Sequence, residues 1–304
     1  MQEQSAIEGV VVVDKPADWT SHDVVNKIRR IAGTKRVGHL GTLDPMATGV
    51  LPLVVGRATR LAQFYTRAEK VYDAIVCFGF ATATYDSQGE RTGEIHPCQF
   101  TRERLDEELN RFRGTFQQTP PPVSAKKVGG VPAYKLARKN VDVQLQPVEV
   151  TVHDLIVHEV HLESAGQPHA RIEVHCTAGT YLRAIAHDLG QALGCGAHLS
   201  RLRRLRSGDF SIDQARTLEQ LAELSHQGRL REAVIPPALL LPQFPSEIVD
   251  SITASQIRQG RDFRVSPFRP AKGAPLVKAV TAEGDLIAIG EARLPHLYHP
   301  MLVL

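Results

Sequence analysis

Apolar residues recur at every second position in several stretches of the chain, which is the spacing of strands with one buried face. The segments Lys70–Gly79, Val148–Val160 and Ala170–Thr177 alternate in this way. Two shorter segments, Gly9–Val13 and Val50–Val55, are continuously apolar and predict buried strands. The sequence therefore predicts strands in both the first and the middle part of the chain.

A second spacing, in which apolar residues fall at i, i+4 and i+7, predicts helices with one apolar face. The first helix is predicted to begin after Thr20, which can form a capping box with Asp23, and to end at Gly33. Further helices are predicted from Thr101 to Gly114, after the turn Ala178-Gly179-Thr180, after Thr217, and in the short segments Ala58–Tyr65 and Thr253–Gln259. Strands and helices together predict a mixed α+β fold.

One loop is neither helix nor strand by pattern and carries the main candidate for chemistry. It runs from Gly38 to Pro52, contains three glycines and two prolines, and leads into an apolar strand. Asp44 precedes Pro45 in this loop, which favours an extended or turn conformation. A carboxylate held in this way can act as a nucleophile, a general base or a metal ligand. The alternative, favoured by composition alone, is an Asx-turn.

The positions of proline suggest three regions along the chain. Residues 1–235 carry the predicted strands and helices, residues 236–247 contain four prolines and read as a linker, and residues 248–304 read as a small β-rich domain with one short helix. Within the first region, an insertion at about 123–148 follows consecutive prolines and has a basic, glycine-containing tip. It is interpreted either as an RNA clamp or as a plain surface hairpin.

Charge adds a weak indication of the partner. The 304-residue chain has a net charge of +3, but many of its basic residues are clustered. Three such clusters on a nearly neutral chain suggest a polyanion as ligand, although any single cluster is more often a solvated face. Their members are Lys27, Arg29, Arg30, Lys35 and Arg36; Lys126, Lys127, Lys135, Arg138 and Lys139; and Arg201, Arg203, Arg204 and Arg206.

Several classes of protein are disfavoured. There is no apolar run of about 18 residues and no signal-peptide pattern, so we expect a cytoplasmic protein with no membrane partner. The four cysteines lack CxxC spacing, and His153, His158 and His161 do not share a strand face, so no metal site is predicted. Arg183 lies in the first turn of a predicted helix, where a cation is unfavourable without a nearby anion; Asp44 is a sensible partner.

Four segments together resemble the TruB family of bacterial tRNA pseudouridine-55 synthases. The loop string GHLGTLDPMATGVLPLVVG resembles the motif around that family's nucleophilic aspartate, and Gly-Thr-Tyr-Leu-Arg at 179–183 resembles the motif that supplies its arginine. Lys70-Val71-Tyr72 and the segment from His198 to Arg204 also match. The C-terminal tail is similar to a PUA domain, an RNA-binding module. Three positions depart from the family pattern: Leu40, Ala83 and Val123.

The resemblance implies a function and roles for named residues. The fold would be a pseudouridine synthase core on a mostly antiparallel sheet, with a thumb-like insertion and a PUA-like domain. Asp44 would be the nucleophile, ionised at neutral pH and paired with Arg183, and Tyr72 would stack on the flipped uracil and take its C5 proton. His39 would fill the space that the base leaves, while Lys15, Tyr181 and Leu202 would line the pocket. The thumb, Arg201–Arg206 and the tail would hold the RNA backbone.

The implied substrate is the T-arm of tRNA, recognised by a monomer without guide RNA, protein partner or cofactor. Three other functions remain open at this stage. The chain could be an RNA-binding chaperone without catalysis, which would not need the Asp44, Tyr72 and Arg183 trio, or a guide-RNA-dependent synthase. It could also be a glycosidase, which requires a second acid near Asp44 that no motif supplies.

Overall fold

The computed structural model describes residues 7–124, 126–128, 131–132, 145–162, 167–266 and 273–304. Most of the predicted thumb-like insertion at 123–148 lies outside these residues, so its role as a clamp stays a prediction. Helices and strands are mixed along the described chain, which confirms the predicted α+β fold class.

A large sheet forms the centre of the first 235 residues. Its region contains the strands β1 (Gly9–Lys15), β2 (Val37–His39), β3 (Thr48–Val55), β4 (Lys70–Phe78), β5 (Ala81–Thr82), β6 (Arg91–Thr92), β7 (Gly114–Gln118), β8 (Lys127–Val128), β9 (Val131–Pro132), β10 (Val148–His161), β11 (His169–Cys176), β12 (Ala197–Ser207), β13 (Phe210–Ser211) and β14 (Val234–Ile235). Among the described residues the order in the large sheet is β14-β1-β3-β12-β4-β11-β10-β7, with β2 beside β3 and β13 beside β12. Neighbouring strands are antiparallel except β3 and β12. Strand β12, which comes near the end of this region in the sequence, therefore lies between β3 and β4, which come much earlier.

The helices largely follow the predicted caps. They are α1 (Ser21–Ile31), α2 (Arg102–Asn110), α3 (Leu182–Ala192), α4 (Leu218–His226) and α5 (Ser251–Arg258), with 3-10 helices at Gly56–Tyr65, Ile212–Gln214, Leu230–Ala233 and Pro237–Leu239. Thr20 and Asp23 form the expected capping box. The predicted end of α2 at Gly114 is wrong, because after Asn110 the backbone tightens into i to i−3 hydrogen bonds and Gly114 already begins β7.

Alternation along the strands of the large sheet places apolar side chains in two cores, one on each face of the sheet. Tyr72, Ala74, Val76 and Phe78 of β4 all face one core, which also receives the apolar faces of α1 to α4. The opposite faces of β1 and β3 pack against the 3-10 helix at 56–65 and against the C-terminal domain. Burial of these two faces gives most of the apolar contact that holds the sheet and its helices together.

The C-terminal residues form the β-rich domain that the sequence predicts. Its strands are β15 (Ser246–Ile248), β16 (Phe263–Arg264), β17 (Leu276–Val280), β18 (Leu286–Leu294) and β19 (Leu297–Val303), in the order β15-β17-β18-β19-β16. The connecting segment 236–247 is packed: Leu240 and Leu241 are buried in the second core, and the ammonium of Lys278 donates hydrogen bonds to the carbonyls of Ala238 and Leu240, both at 2.9 Å. The two domains therefore share an apolar core.

Candidate active site

The Asp44 loop is fixed to the rest of the fold on the side of α1. The Ser21 hydroxyl donates to the carbonyl of Leu43 at 3.0 Å and accepts from the amide of Leu43 at 2.8 Å. The fully buried ammonium of Lys15 donates to the carbonyls of Pro16, Trp19 and Pro45 at 2.6–3.0 Å. The resemblance implied that Lys15 lines the pocket, but Lys15 is not among the residues that line the cavity beside Asp44. It stabilises the loop from beneath.

Arg204 fixes the loop from the sheet side. This arginine is fully buried, with 0% of its surface exposed, and its guanidinium donates to the carbonyls of Val50 at 2.7 Å, Gly41 at 3.1 Å and Thr42 at 3.3 Å. The expectation that Arg201–Arg206 together hold the RNA backbone is therefore wrong for Arg204. Alternation along β12 turns its side chain inward, as it does for Leu202, while Arg201 and Arg206 are exposed.

Gly49 shows how closely β12 approaches the loop. Its backbone has a positive φ of 97°, and a Cβ atom placed there would lie 2.2 Å from the carbonyl oxygen of Arg204. Glycine is required at this position both for its conformation and for its missing side chain. The sequence motif thus contains a residue that permits the contact between β3 and β12.

The carboxylate of Asp44 pairs with Arg183, as predicted from the helix position of the arginine. The Asp44 Oδ2 to Arg183 Nε distance is 2.8 Å, and about 33% of the Asp44 side chain remains exposed, whereas the arginine is buried. In the described contacts its carboxylate faces this guanidinium and does not form the alternative Asx-turn. The backbone carbonyl of Asp44 instead closes a turn by accepting from the amide of Ala47 at 3.1 Å.

A second carboxylate holds Arg183 from the other side. Asp86 Oδ2 lies 3.4 Å from Arg183 Nη1, which also donates to the Thr84 carbonyl at 3.1 Å. Asp86 is buried and its Oδ1 accepts from the Thr84 hydroxyl at 2.6 Å and from the amide of Gln88 at 3.1 Å. Asp86 is the nearby acid that the sequence reading did not find. Its hydrogen bonds mark it as a support for Arg183, since it is oriented by its own turn and not toward the cavity.

The departures from the family pattern have simple structural accounts. Leu40 is buried in the second core, behind the loop and away from the carboxylate of Asp44. Val123 contributes its backbone carbonyl, which accepts from Arg183 Nη2 at 2.9 Å, so this contact does not depend on the side chain at position 123. Ala83 pairs through its backbone with Glu90, and the carboxylate of this turn is supplied by Asp86.

Burial controls the protonation behaviour of the two central groups. Loss of water around Asp44 raises the pKa of its carboxyl above the usual range, although the guanidinium of Arg183 acts in the opposite direction. The shift is thus opposite to the one that the ion pair alone would give. Burial also raises the pKa of the Tyr72 phenol, despite the nearby guanidinium of Arg204. Tyr72 is therefore a neutral phenol at pH 7, and it can accept a proton only if its own proton leaves.

A cavity of about 260 Å³ opens beside Asp44. Tyr72, Tyr181, Leu202 and Arg183 line it, so the structure brings together five of the seven predicted site residues when Asp44 is included. Tyr181 is held by Gln118, whose side-chain carbonyl accepts from the Tyr181 amide at 2.8 Å. Two tyrosine rings and a leucine give the walls that a planar base requires.

His39 and Lys15 are the two predicted residues outside the cavity lining. His39 lies at the end of β2, half-buried, and its Nδ1 accepts from the amide of Gly41, which lines the cavity. Burial and the nearby Arg204 lower the pKa of this imidazole, so it is neutral at pH 7. A neutral ring next to the cavity entrance is compatible with stacking.

Three further residues belong to the site although sequence reasoning did not assign them to it: Lys70, Asp86 and Arg204. For Lys70 a signal was present, because it shares the buried face of β4 with four apolar residues. For Arg204 the register of β12 determines that the side chain points inward, and the pairing of this strand is irregular on both sides of Arg204.

Metal binding receives no support from the described residues. They contain no group of three or more histidine, cysteine or acidic side chains arranged to hold a metal ion. His153, His158 and His161 contact three different glutamates, Glu69, Glu173 and Glu159. Among the helices in the same described part of the chain, none is long and apolar enough to cross a membrane.

Comparison with known protein families and sequences gives concordant results. A family model described as "TruB family pseudouridylate synthase (N terminal domain)" matches residues 29–182, and one described as "tRNA pseudouridylate synthase B C-terminal domain" matches residues 183–241. A curated relative from Solibacter usitatus, named "tRNA pseudouridine synthase B", is 61% identical and covers 98% of this chain and 100% of its own length. Another of the same name from Geotalea uraniireducens is 40% identical, covering 95% of this chain and 93% of the relative.

Solved structures show the same fold. A chain in "Crystal Structure of a Cbf5-Nop10-Gar1 Complex" is 27% identical, with a TM-score of 0.68 over 95% of this chain and 79% of that one. A chain in "Structure of H/ACA RNP bound to a substrate RNA containing 2'-deoxyuridine" is 24% identical with a TM-score of 0.69, covering 97% and 84% of the two chains. The second likeness concerns the fold alone.

Proposed function

The chain belongs to the TruB family of pseudouridylate synthases, and we propose that it converts uridine 55 in the T-loop of tRNA to pseudouridine. The observation that carries this proposal is the Asp44–Arg183 pair at 2.8 Å in the wall of a cavity that Tyr72 and Tyr181 also line. A protein that only binds RNA needs no recessed carboxylate held by a buried arginine. The named relatives from Solibacter usitatus and Geotalea uraniireducens support the choice of substrate.

The reaction is an isomerisation in which two bonds exchange. The bond between C1′ of the sugar and N1 of uracil breaks, the base rotates, and a bond between C1′ and C5 forms. The proton on C5 leaves and N1 gains a proton, so no atom is gained or lost. Asp44 acts in its ionised form at the sugar or the base, while Arg183 keeps the carboxylate aimed into the cavity.

The target uridine has to leave the folded T-loop before it can reach Asp44. Extrusion of a base costs a few kcal/mol, and stacking on aromatic rings returns about 1–3 kcal/mol per base. Tyr72 offers such a ring, with Leu202 closing the cavity from β12. In this proposal the phenol oxygen of Tyr72 takes the C5 proton while its own proton passes to solvent, which supplies the proton that N1 gains. His39 fills the space that the base has left.

The finer parts of the proposal concern how the RNA is recognised, the oligomeric state and the cellular compartment. We take the T-arm as the recognised part of tRNA, the monomer as the active form, the cytoplasm as the compartment, and guide RNA as unnecessary. The exposed Arg201 and Arg206 and the β-rich C-terminal domain would contact the phosphate backbone, which makes affinity fall as salt rises. The PUA-like character of that domain belongs to the same proposal.

Release of tritium from [5-³H]uridine tests the proposal directly, since the C5 proton must leave. The substrates are full-length tRNA and an isolated T-arm stem-loop. We expect release from both by the wild type and none by Asp44→Ala, whose RNA affinity stays within roughly tenfold because phosphate contacts dominate binding. Asp213→Ala, which removes an exposed carboxylate, is the matched control and should keep wild-type turnover.

Each of the other outcomes would contradict a particular part of the proposal. Binding without release by the wild type would favour an RNA chaperone or a synthase that requires a guide RNA. Release from full-length tRNA but not from the stem-loop would remove the T-arm as the sufficient substrate. Turnover by Asp44→Ala near the wild-type rate would exclude Asp44 from the reaction.

A further inference from the structure

Two buried cations lie side by side in the cavity wall without an acidic partner. Lys70 is 7% exposed and Arg204 is fully buried, and both line the cavity with Asp44. Within the described part of the chain, neither has a carboxylate within 4.0 Å. A Cβ atom on Gly41 would lie 3.8 Å from Cε of Lys70 and 3.7 Å from Nη1 of Arg204, so both side chains pack on this glycine. Buried charges of this kind normally have a partner.

The other buried lysines of the described chain show what a structural role requires. Lys15 directs its ammonium to three backbone carbonyls and Lys278 directs its ammonium to two. Lys70 has one such contact, with the carbonyl of Ala68. An ammonium carries three N–H donors, so two donors of Lys70 have no acceptor among the described residues. Both are available to a ligand in the cavity.

The local charge favours an anion as that ligand. Burial and the neighbouring guanidinium of Arg204 lower the pKa of Lys70 to about 8, so its charged form is less favourable than that of an exposed lysine. An arriving anion would compensate this charge. A nucleotide in the cavity has an uncharged base and sugar at neutral pH, so its anionic groups are its phosphates.

We propose that Lys70 forms a phosphate subsite inside the cavity, where its ammonium binds one of the two phosphates that flank the extruded uridine. This inference rests on the proposed function and adds a contact that orients the nucleotide. Arg204 stands behind this subsite and holds the Asp44 loop, so the base, the sugar and the phosphate are positioned by one continuous wall. Lys70 is a positioning residue, and Asp44 acts on the reacting atoms.

A cycle that changes the protein and the RNA separately tests this contact. The RNAs are T-arm stem-loops in which the phosphate 5′ or 3′ to the target uridine is replaced by an uncharged methylphosphonate. The adjoining 2′ oxygen is methylated for chemical stability, and each reference RNA carries the same methylation with an ordinary phosphate. Dissociation constants are measured for the wild type, Lys70→Met, and Arg113→Met, which removes an exposed cation outside the three basic clusters as the matched control.

We expect the wild type and Arg113→Met to lose roughly 10- to 100-fold in affinity at one of the two positions, the range of a hydrogen bond to a charged group. Lys70→Met should lose less than about threefold at that position, because its contact is already gone. Equal losses for Lys70→Met and the wild type at both positions would overturn the proposal, and so would the absence of any loss in the wild type.

Two measurements keep these outcomes separate from other causes. Tritium release by the wild type from an unmodified stem-loop shows first that this RNA is a substrate, so a failure there concerns the proposed function and not Lys70. Circular dichroism establishes that Lys70→Met is folded. If it is not, Lys70→Gln takes its place in the same cycle, with the same expected results.

Discussion

Replacement of Arg204 by methionine tests whether this arginine holds the catalytic loop or contacts RNA. Methionine keeps much of the apolar stem and removes the guanidinium that donates to Val50, Gly41 and Thr42. The sequence reading assigned the arginine to the RNA backbone, whereas the structure places it behind the Asp44 loop. A role in holding the loop predicts a large loss of stability with little loss of RNA affinity. A contact with the RNA backbone predicts the reverse.

The size of the expected loss of stability follows from the three carbonyls that would lose their hydrogen-bond donor. A buried polar group left without its partner costs about 1–3 kcal/mol, so three carbonyls give an upper range of roughly 3–9 kcal/mol. Removal of a buried, unpaired cation offsets part of this cost, because such a charge is itself unfavourable. We therefore expect the free energy of unfolding to fall by about 3–5 kcal/mol.

The neighbouring arginine provides the matched control. Arg203 makes a partly exposed ion pair with Asp14 at 2.8 Å, so Arg203→Met should cost about 1 kcal/mol or less. Urea unfolding gives both values, and single-turnover tritium release gives the rate. For folded Arg204→Met we expect a loss of at least about a hundredfold in rate, since a displaced loop misplaces Asp44, while affinity for the stem-loop stays within about tenfold.

Two results would refute this account. If Arg204→Met were as stable as Arg203→Met, the three hydrogen bonds would not be holding the loop. If it lost affinity and its salt dependence weakened by about one counterion, the arginine would be a phosphate contact, as its place in a basic cluster had suggested.

Three further changes probe the loop and the chemistry. Gly49→Ala should lower the free energy of unfolding by about 3 kcal/mol or more, because its Cβ would meet Arg204 at 2.2 Å, whereas Gly33→Ala, with open space and a positive φ, should cost about 1 kcal/mol in the same urea experiment. Tyr72→Phe should bind the stem-loop normally but fail to release tritium; normal release would show that the hydroxyl takes no part. Finally, the single-turnover rate should fall on acidification as Asp44 gains its proton, at a higher pH than for an ordinary aspartate because its pKa is raised. A profile unchanged down to the usual aspartate range would contradict the raised pKa of this carboxyl.

Local patterns predicted the elements that surround the site. The alternation in β4 placed Tyr72 on the buried face, and the capping box at Thr20 located α1. The pair between Asp44 and Arg183 followed from a cation in a first helical turn and from two family motifs. Each of these signals, whether an alternation, a cap or a motif, is contained in a few consecutive residues. Each can therefore be recognised without knowledge of the tertiary structure.

The parts that were missed depend on register and on contacts between distant segments. Arg204 faces inward because it alternates with the buried Leu202, but β12 is irregular between Leu199 and Arg201 and again between Arg204 and Arg206. These irregularities limit the alternation to a short stretch and have no visible sequence signal. Asp86 reaches Arg183 only through the fold. The packed segment at 236–247 did carry a signal, the apolar pair Leu240-Leu241, but its prolines dominated the interpretation.

The position of β12 has a consequence for the making of the protein. A ribosome adds roughly 5–20 residues per second, so the chain between the end of β3 at Val55 and the start of β12 at Ala197 takes on the order of ten seconds to appear. During that interval β3 and β4 lack the strand that lies between them, so the edge of β4 and the part of β3 that β2 does not cover are open to other chains. The loop lacks Arg204 throughout this interval, and it lacks Arg183 for most of it. A translation product that stops before Ala197 carries Asp44 but lacks the strand that holds its loop, and we expect it to depend on chaperones.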